Sequence, residues 1–249
     1  IAAGHNDLVG KMVDGYDFVT NRPIDVQAVA NARSSIDHGT MVAGIIAADA
    51  DGDGITGIAP GARIMLVRVV ADDGQGSTVQ LAAGIRWAVD NGADVINVSI
   101  RSTTDSAGVR SAVDHAVNNG VIVVASAGNT TVAGPFYPAS LPNVIAVGAS
   151  DVSGAHYAGS PVSAAVEVVA PGADIITASG IGVDQYQRGW GTSFAAPHVS
   201  GVVAIMREIA PQATLGEVRE ALHRTARDLG TPGRDDTFGY GELDAVGAL

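Results

Sequence analysis

Short apolar runs alternate with helical patterns along most of this chain, and this alternation restricts the possible folds more than any other feature. The predicted strands are apolar at nearly every position and cover residues 63–70, 95–100, 121–125, 144–147 and 166–170. A strand without a polar face must be covered on both sides, which is typical of a parallel sheet between two layers of helices. We therefore predict a three-layer αβα fold with a mostly parallel central sheet, in a single domain over residues 1–249, with ligands at the carboxyl ends of its strands.

The predicted helices carry recognisable start signals. They cover residues 38–48, 78–91, 109–119 and 192–210, with one more beginning after Thr214. Ser77 is placed to cap the second of them. Thr214 with Glu217 three residues later predicts a capping box, in which each residue bonds the other's backbone N–H.

The composition excludes several classes of protein. Of 249 residues, 47% are hydrophobic, which is too many for a disordered chain. No stretch approaches the roughly 18 uninterrupted apolar residues that span a bilayer, so we expect no membrane segment. Twenty-six acidic residues against fourteen basic ones give a net charge of −12, which repels phosphate backbones and argues against a nucleic-acid partner. The absence of cysteine excludes disulfides, a thiolate nucleophile and cysteine-bound metal.

Three polar residues lie where such a fold binds its ligands. His38 opens an apolar helix, Ser193 lies at the start of the longest predicted helix, and Asn129 follows a buried strand. A serine at a helix N-terminus places its hydroxyl and N–H at the positive end of the helix dipole, and an asparagine amide can donate to an oxyanion. Taken singly, a helix-capping Ser193 or Thr192, a packed histidine and a turn-forming asparagine are the simpler interpretations. Together, the three residues favour an acyl-transfer site.

Three motifs resemble those of the subtilisin-like serine proteases, in that family's order and spacing. They are HGTMVAGIIAA from His38, SAGN ending at Asn129 and GTSFAAPHVSG around Ser193, supported by GIAPGARI, YPAS and the closing FGYGELDA. The resemblance implies a serine endopeptidase that acts on protein or peptide substrates through an acyl-enzyme. Ser193 would be the nucleophile, His38 the general base, and Asn129 an oxyanion donor together with the Ser193 N–H. Extracellular release is the family default, although intracellular members exist.

The third member of the family's catalytic triad is missing from this sequence. The family carries an aspartate at the end of its first central strand, and the match of His5-Asn6-Asp7-Leu8 to the following loop places that aspartate about three residues before Ile1. A domain that lacked a buried central strand would have unpaired backbone and an open core. We therefore expect the strand to exist elsewhere, as a cleaved N-terminal fragment, a propeptide or a partner chain. Asp37 is a poor substitute, because it directly precedes His38.

The same resemblance assigns residues to a substrate cleft. Phe136 falls at the floor of the first specificity pocket, where the family often has a small residue, and predicts small or medium side chains before the scissile bond. Arg101 stands where the family usually has glycine, and would either form a salt bridge with an acidic substrate residue or close the cleft. The predicted substrate-binding residues are Gly74, Gln75, Gly76, Ser99, Ile100, Arg101, Ala127, Gly128 and Phe136.

An acidic loop follows the His38 helix and imitates the opening of an EF-hand. Pro60 stands where an EF-hand requires its twelfth-position glutamate, so that motif is rejected. In the resembling family this loop often binds calcium, and the alternative is an ordinary acidic turn. The resemblance implies a structural Ca²⁺ and no organic cofactor, with the metal-binding residues Asp7, Asp49, Asp51, Asp53 and Ile55.

Two rival functions remain open. The first is a protease fold that binds peptides without hydrolysing them, which is favoured by the missing aspartate and by Arg101. The presence of both His38 and Ser193 argues against it. The hypothesis of a nucleotide-binding domain has weak support, because no Gly-x-Gly-x-x-Gly joins a first strand to a helix and the negative net charge repels phosphate.

Overall fold

The computed structural model describes residues 1–29, 37–131 and 134–249. Its strands are β1 (Met12–Asp17), β2 (Arg22–Ile24), β3 (Ile64–Arg68), β4 (Val95–Val98), β5 (Ile122–Ser126), β6 (Ile145–Ser150), β7 (Val168–Pro171), β8 (Ile175–Ala178) and β9 (Tyr186–Gly189). Its helices are α1 (Val26–Val29), α2 (His38–Ala47), α3 (Thr78–Asp90), α4 (Ala107–Asn118), α5 (Thr192–Ile209), α6 (Leu215–Thr225) and α7 (Ala245–Ala248), besides a 3₁₀ turn at Asn6–Leu8.

The predicted capping signals operate at two helices. Ser77 and Gln80 form a reciprocal capping box at α3, and Thr214 and Glu217 form another at α6. These side chains satisfy N–H groups that a helix start leaves without partners. None of the helices in the described ranges is both long enough and apolar enough to cross a bilayer.

A four-stranded parallel sheet forms the centre of the fold, in the order β4-β5-β6-β7. Both faces of β5 are covered. Val123 and Ala125 pack in a cluster with α3 and α4, while Ile122 and Val124 pack in a cluster with α5 and α6. Helices on both sides of a parallel sheet confirm the predicted three-layer α/β architecture.

A second sheet has the order β2-β1-β3, with β1 and β3 parallel and β1 and β2 antiparallel. Leu66 of β3 and Ala43 of α2 share a buried cluster, so α2 packs on this sheet. An antiparallel hairpin, β8–β9, lies against α2, where the Thr177 hydroxyl donates to the Met41 carbonyl at 2.7 Å. α2 therefore packs against both this sheet and the β8–β9 hairpin.

A cavity of about 1040 Å³ separates the two sheets. Within the described ranges, β3 pairs only with β1 and β4 only with β5, so β3 and β4 each have an unpaired edge. Side chains of both strands line the cavity, among them Met65 and Ile96, together with residues of α2, α3 and α5. Ile1 and His38 also line it. We call this space the inter-sheet groove.

Candidate active site

Ser193 lies in the first turn of α5 and is 9% exposed. Its hydroxyl donates to the Ser99 carbonyl at 3.2 Å. The helix N-cap is Gly191, which has no side chain to form a cap bond. The interpretation of Ser193 or Thr192 as a simple helix cap is therefore wrong, and both side chains are left for other contacts.

Asn129 is fixed to the residue that precedes Ser193. Its Oδ1 accepts from the Thr192 N–H at 2.8 Å and lies 2.9 Å from the Thr192 hydroxyl. Because a backbone N–H can only donate, the bonded side-chain atom is the amide oxygen, and the Nδ2 is left as the outward donor. Within the described part of the chain, Nδ2 has no acceptor. A donor held this way, next to the residue that precedes Ser193, is the kind of group that can bond an oxyanion.

Gly191 makes room for this asparagine. Its φ is +120°, in a region that disfavours side chains, and a Cβ there would come within 2.6 Å of Asn129 Nδ2. Glycine is required here by the backbone angle and by the contact together.

His38 is the first residue of α2, and its ring meets the Phe194 ring edge-on at a centroid separation of 5.6 Å. Phe194 directly follows Ser193 and clusters with Met41 and Ile45 of α2. The two helix starts that carry His38 and Ser193 are therefore packed together. Burial lowers the pKa of His38, and the neighbouring Asp37 carboxylate partly opposes that shift.

No hydrogen bond to either nitrogen of the His38 ring is found among the described residues. The Ser193 proton goes to the Ser99 carbonyl and not to the imidazole. His38 instead lines one end of the inter-sheet groove, with Ile1 against the neighbouring Gly39. The base of the expected triad thus has neither its proton donor nor an orienting carboxylate bonded to it.

Asp37 is buried, and its Oδ2 accepts three hydrogen bonds. They come from the Ser179 hydroxyl at 2.8 Å, the Gly180 N–H at 2.7 Å and the Gln187 side chain at 2.6 Å. All three donors lie on or next to the β8–β9 hairpin. Asp37 therefore ties the start of the His38 helix to that hairpin, and its carboxylate is occupied away from the imidazole.

The segment after β4 runs beside Ser193. The Ser99 hydroxyl donates to the Ser193 carbonyl at 2.9 Å and accepts from Asn97 Nδ2 at 2.9 Å. Asn97 in turn accepts from the Ser200 hydroxyl at 2.9 Å. This chain of bonds fixes α5 to β4 at the level of Ser193. Ile100, the next residue, packs against the cluster under α3 and α4.

Arg101 and Phe136 meet beside Gly128. The Arg101 guanidinium carbon lies 4.7 Å from the centroid of the Phe136 ring. A Cβ on Gly128, whose φ is +112°, would lie 3.1 Å from both Arg101 Cδ and a Phe136 ring carbon. Ala127 before it is buried against Val166. These predicted specificity residues therefore lie together, next to Gly128, the residue that precedes Asn129 in the chain.

Comparison with known proteins identifies the family. The family model described as Peptidase_S8, subtilase family, matches residues 1–241. A thermophilic serine proteinase of Bacillus sp. (strain AK1) is 39% identical over 248 residues, which cover 98% of this chain and 58% of the relative. The chain belongs to the subtilase family. Subtilisin DY of Bacillus licheniformis is 37% identical over 246 residues, covering 97% of this subtilase and 84% of the relative.

A solved structure of a protein related to subtilisin has a similar fold. The crystal structure of fervidolysin from Fervidobacterium pennivorans, titled a keratinolytic enzyme related to subtilisin, superposes with a TM-score of 0.87 at 35% identity. The match covers 100% of this subtilase and 41% of the fervidolysin chain. This subtilase therefore spans less than half of fervidolysin and just over half of the AK1 proteinase.

The segment Gly74, Gln75 and Gly76 lies exposed after β3 in this subtilase. Gly74 has a φ of +79°, and Gly76 forms an antiparallel bridge with Val70. The segment is accessible to an extended chain, and its pairing with substrate stays a prediction.

The acidic residues predicted to bind metal are placed around one loop but are bonded to other groups. Asp7 is buried and accepts from the Tyr186 hydroxyl and from the Ile55 N–H, both at 3.1 Å. Burial first, and the Asp7 bond second, raise the pKa of Tyr186 to about 12. Asp49 pairs with Lys11 at 3.0 Å. In the described ranges, no group of three or more histidine or acidic residues is gathered as a metal site.

Asp51 and Asp53 bond within the loop itself. Asp51 accepts from the Asp53 N–H, and Asp53 accepts from the Gly54 N–H, both at 3.0 Å. Such local carboxylate–backbone bonds are typical of acidic turns.

Thr192 and the hairpin contacts of Asp37 were not predicted from the sequence as parts of the site. Thr192 directly precedes the nucleophile, so its place in the GTS motif was the available signal. The donors to Asp37 come from far along the chain, and no local pattern could have identified them.

Proposed function

We propose that this subtilase is a serine endopeptidase that hydrolyses protein or peptide substrates through an acyl-enzyme. Ser193 attacks the peptide carbonyl, and His38 takes its proton and later delivers it to the leaving amine. Asn129 Nδ2 and the Ser193 N–H stabilise the oxyanion. The names of the relatives as serine proteinases support this reaction class.

One observation carries this proposal. Thr192, the residue before Ser193 at the start of α5, binds the amide oxygen of Asn129, and the amide nitrogen has no acceptor within the described part of the chain. Asn129 is exposed, so its amide nitrogen can bond water until a substrate binds, and catalysis needs a donor that is free to bond the oxyanion as charge develops.

We further propose that an extended segment joined to Ile1 fills the inter-sheet groove and supplies the missing aspartate. Such a segment would pair with the unpaired edges of β3 and β4 and run parallel to both. Ile1 and His38 line the groove together, which puts the carboxyl end of the segment near the imidazole. A carboxylate there would orient His38 and stabilise its protonated form.

Labelling with a fluorophosphonate, which reacts only with activated serines, tests the proposal. We expect one adduct that maps to Ser193, and no adduct and no peptide hydrolysis in Ser193→Ala. The matched control is Ser111→Ala on the exposed face of α4, which should be labelled like the parent. Unchanged hydrolysis in Ser193→Ala would refute the assignment. The assay uses the chain both alone and with the groove-filling segment attached.

A peptide-binding protein without turnover is the second candidate. The observation that favours it is the His38 ring, which has no hydrogen-bond partner among the described residues. In that case, a peptide would bind with measurable affinity, while Ser193 would stay unlabelled even with the groove filled.

We propose calcium as a structural ion of the loop near Asp7. Asp7 is 5% exposed and no cationic partner is found among the described residues, so the chemistry of this buried carboxylate suits a hard cation. The residues that would hold the ion are Asp7, Asp53 and the Ile55 carbonyl. We expect calcium to raise the melting temperature of the parent and to have no such effect on Asp7→Asn. An equal rise in both would place the ion elsewhere.

We also propose that the protein is secreted. One relative, 40% identical over 206 residues, is named a minor extracellular protease, from Bacillus subtilis. Detection of the protein in culture medium, separately from cell lysis markers, tests this.

A further inference from the structure

Arg101 stands at the point where a bound substrate would place a side chain. The carbonyl under attack must lie between the Ser193 hydroxyl and Asn129 Nδ2. Ser99, two residues before Arg101, bonds the Ser193 hydroxyl. A Cβ added to Gly128, the residue before Asn129, would lie 3.1 Å from Arg101 Cδ. Arg101 therefore lies beside the position that the residue carrying that carbonyl would occupy.

The guanidinium is held in place but is not neutralised. Ser102 and Tyr137 exchange two backbone hydrogen bonds of 2.8 Å, which align the neighbours Arg101 and Phe136. The Phe136 ring then packs against the guanidinium at 4.7 Å. Arg101 is exposed, and no acidic side chain in the described ranges forms an ion pair with it. Its charge is therefore available to a ligand.

We propose that Arg101 makes this subtilase select substrates with glutamate or aspartate immediately before the scissile bond. This inference rests on the peptidase function proposed above. The guanidinium has five N–H donors, and no hydrogen bond from its side chain is found among the described residues, so two of these donors can bind a carboxylate through parallel bonds. Phe136, which the family resemblance places at the floor of the first specificity pocket, would disfavour large apolar side chains, whose burial would otherwise compete with the ionic contact.

The net charge of −12 opposes acidic substrates only at long range. Charges further away than about 8 Å are largely screened at physiological ionic strength. A guanidinium in direct contact with the substrate is screened far less, so its effect dominates the choice of side chain.

The experiment compares acetyl-Ala-Ala-Pro-Glu and acetyl-Ala-Ala-Pro-Gln p-nitroanilides, which differ in charge and scarcely in size. We expect kcat/KM to favour the glutamate substrate by about 10- to 100-fold, from the strength of charge-assisted hydrogen bonds. Arg101→Gln should lose this ratio, and Arg101→Glu should favour lysine instead. The control Arg110→Gln removes an exposed arginine already paired with Asp105 and should keep the parent ratio.

Two other outcomes would contradict the proposed role of Arg101. Equal cleavage of the two substrates would overturn the role of Arg101 while leaving the peptidase function in place. Faster cleavage of every substrate in Arg101→Ala, at an unchanged ratio, would mean that Arg101 closes the cleft.

If the protein hydrolyses neither substrate, a binding measurement tests the proposal instead. In Ser193→Ala, acetyl-Ala-Ala-Pro-Glu-Ala-Ala-amide should bind more tightly than its glutamine counterpart by a similar factor, measured by titration calorimetry. Equal affinities would overturn the proposal. Failure to bind either peptide, together with unlabelled Ser193 in the parent, would overturn both this proposal and the peptidase function.

Discussion

Ser193 and His38 begin two helices that pack together, yet their surroundings differ. On the nucleophile side, Thr192 binds Asn129, and Ser99 bonds Ser193 through both side chain and backbone. On the base side, the His38 ring lines the inter-sheet groove and has no hydrogen-bond partner in the described part of the chain. The surroundings of Ser193 are thus fixed by hydrogen bonds within the described residues, whereas those of His38 depend on what occupies the groove.

The largest effect should come from filling the groove. A variant extended before Ile1 by six apolar β-branched or small residues, an Asp and a short spacer should raise kcat by about 10⁴-fold over the same extension with Asn. The carboxylate fixes the His38 tautomer and stabilises the imidazolium, which the amide cannot do. Peptide anilide hydrolysis measures the effect.

The Asn extension is also the control for groove filling. Both extensions should raise the melting temperature equally, because both pair with β3 and β4. Equal activity of the two, or no gain in stability from either, would contradict the proposed strand.

The next effect should come from the nucleophile side. Asn129→Ala removes one oxyanion donor and should lower kcat by about 10²–10³-fold, with little change in KM. Steady-state kinetics on a peptide anilide would measure this. A loss confined to KM would mean that the amide binds the ground state and not the oxyanion.

A smaller effect on kcat should follow from a side chain placed against the Asn129 amide. Gly191→Ala places a Cβ within 2.9 Å of Asn129 Nδ2, Oδ1 and Cγ, and should lower kcat by roughly 10-fold as the side chain is displaced. Gly92→Ala is the matched control, since Gly92 also has a positive φ, +84°, but has no atom within 4 Å. Both variants should also lose stability from backbone strain, about 1–2 kcal/mol in Gly92→Ala and about 1–3 kcal/mol in Gly191→Ala, because a φ of +120° with a ψ of 170° is almost restricted to glycine. A fall in kcat in both would mean that strain, and not contact with Asn129, is the cause.

The two sides also differ in how far the sequence predicts them. Asn129 at the end of a buried strand and Ser193 at a helix start could be located by pattern, because parallel sheets present ligands at such positions. The capped helices α3 and α6 could be predicted for a similar local reason. The strands β1 and β9 could not, because their polar and glycine residues break the apolar pattern, and β8 has only four residues.

The contacts that shape the cleft are beyond local pattern. The resemblance placed Arg101 and Phe136 at one pocket, but only the tertiary structure shows that the ring supports the guanidinium. Likewise, the three donors to Asp37 lie on a hairpin far along the chain, so its anchoring depends on tertiary packing.

The smallest effect should come from Asp37, whose carboxylate raises the pKa of His38 against the larger lowering by burial. Only the neutral imidazole can accept the Ser193 proton, so kcat/KM falls as the pH falls through the pKa of His38. Asp37→Asn removes the opposing charge, lowers that pKa and moves the acid limb of the pH profile to lower pH. Asp174→Asn, which removes a carboxylate paired with Arg188 on the same hairpin, should leave the limb in place. A shift to higher pH in Asp37→Asn would mean that His38 had lost its buried position, and that the hydrogen bonds of Asp37, not its charge, govern the base.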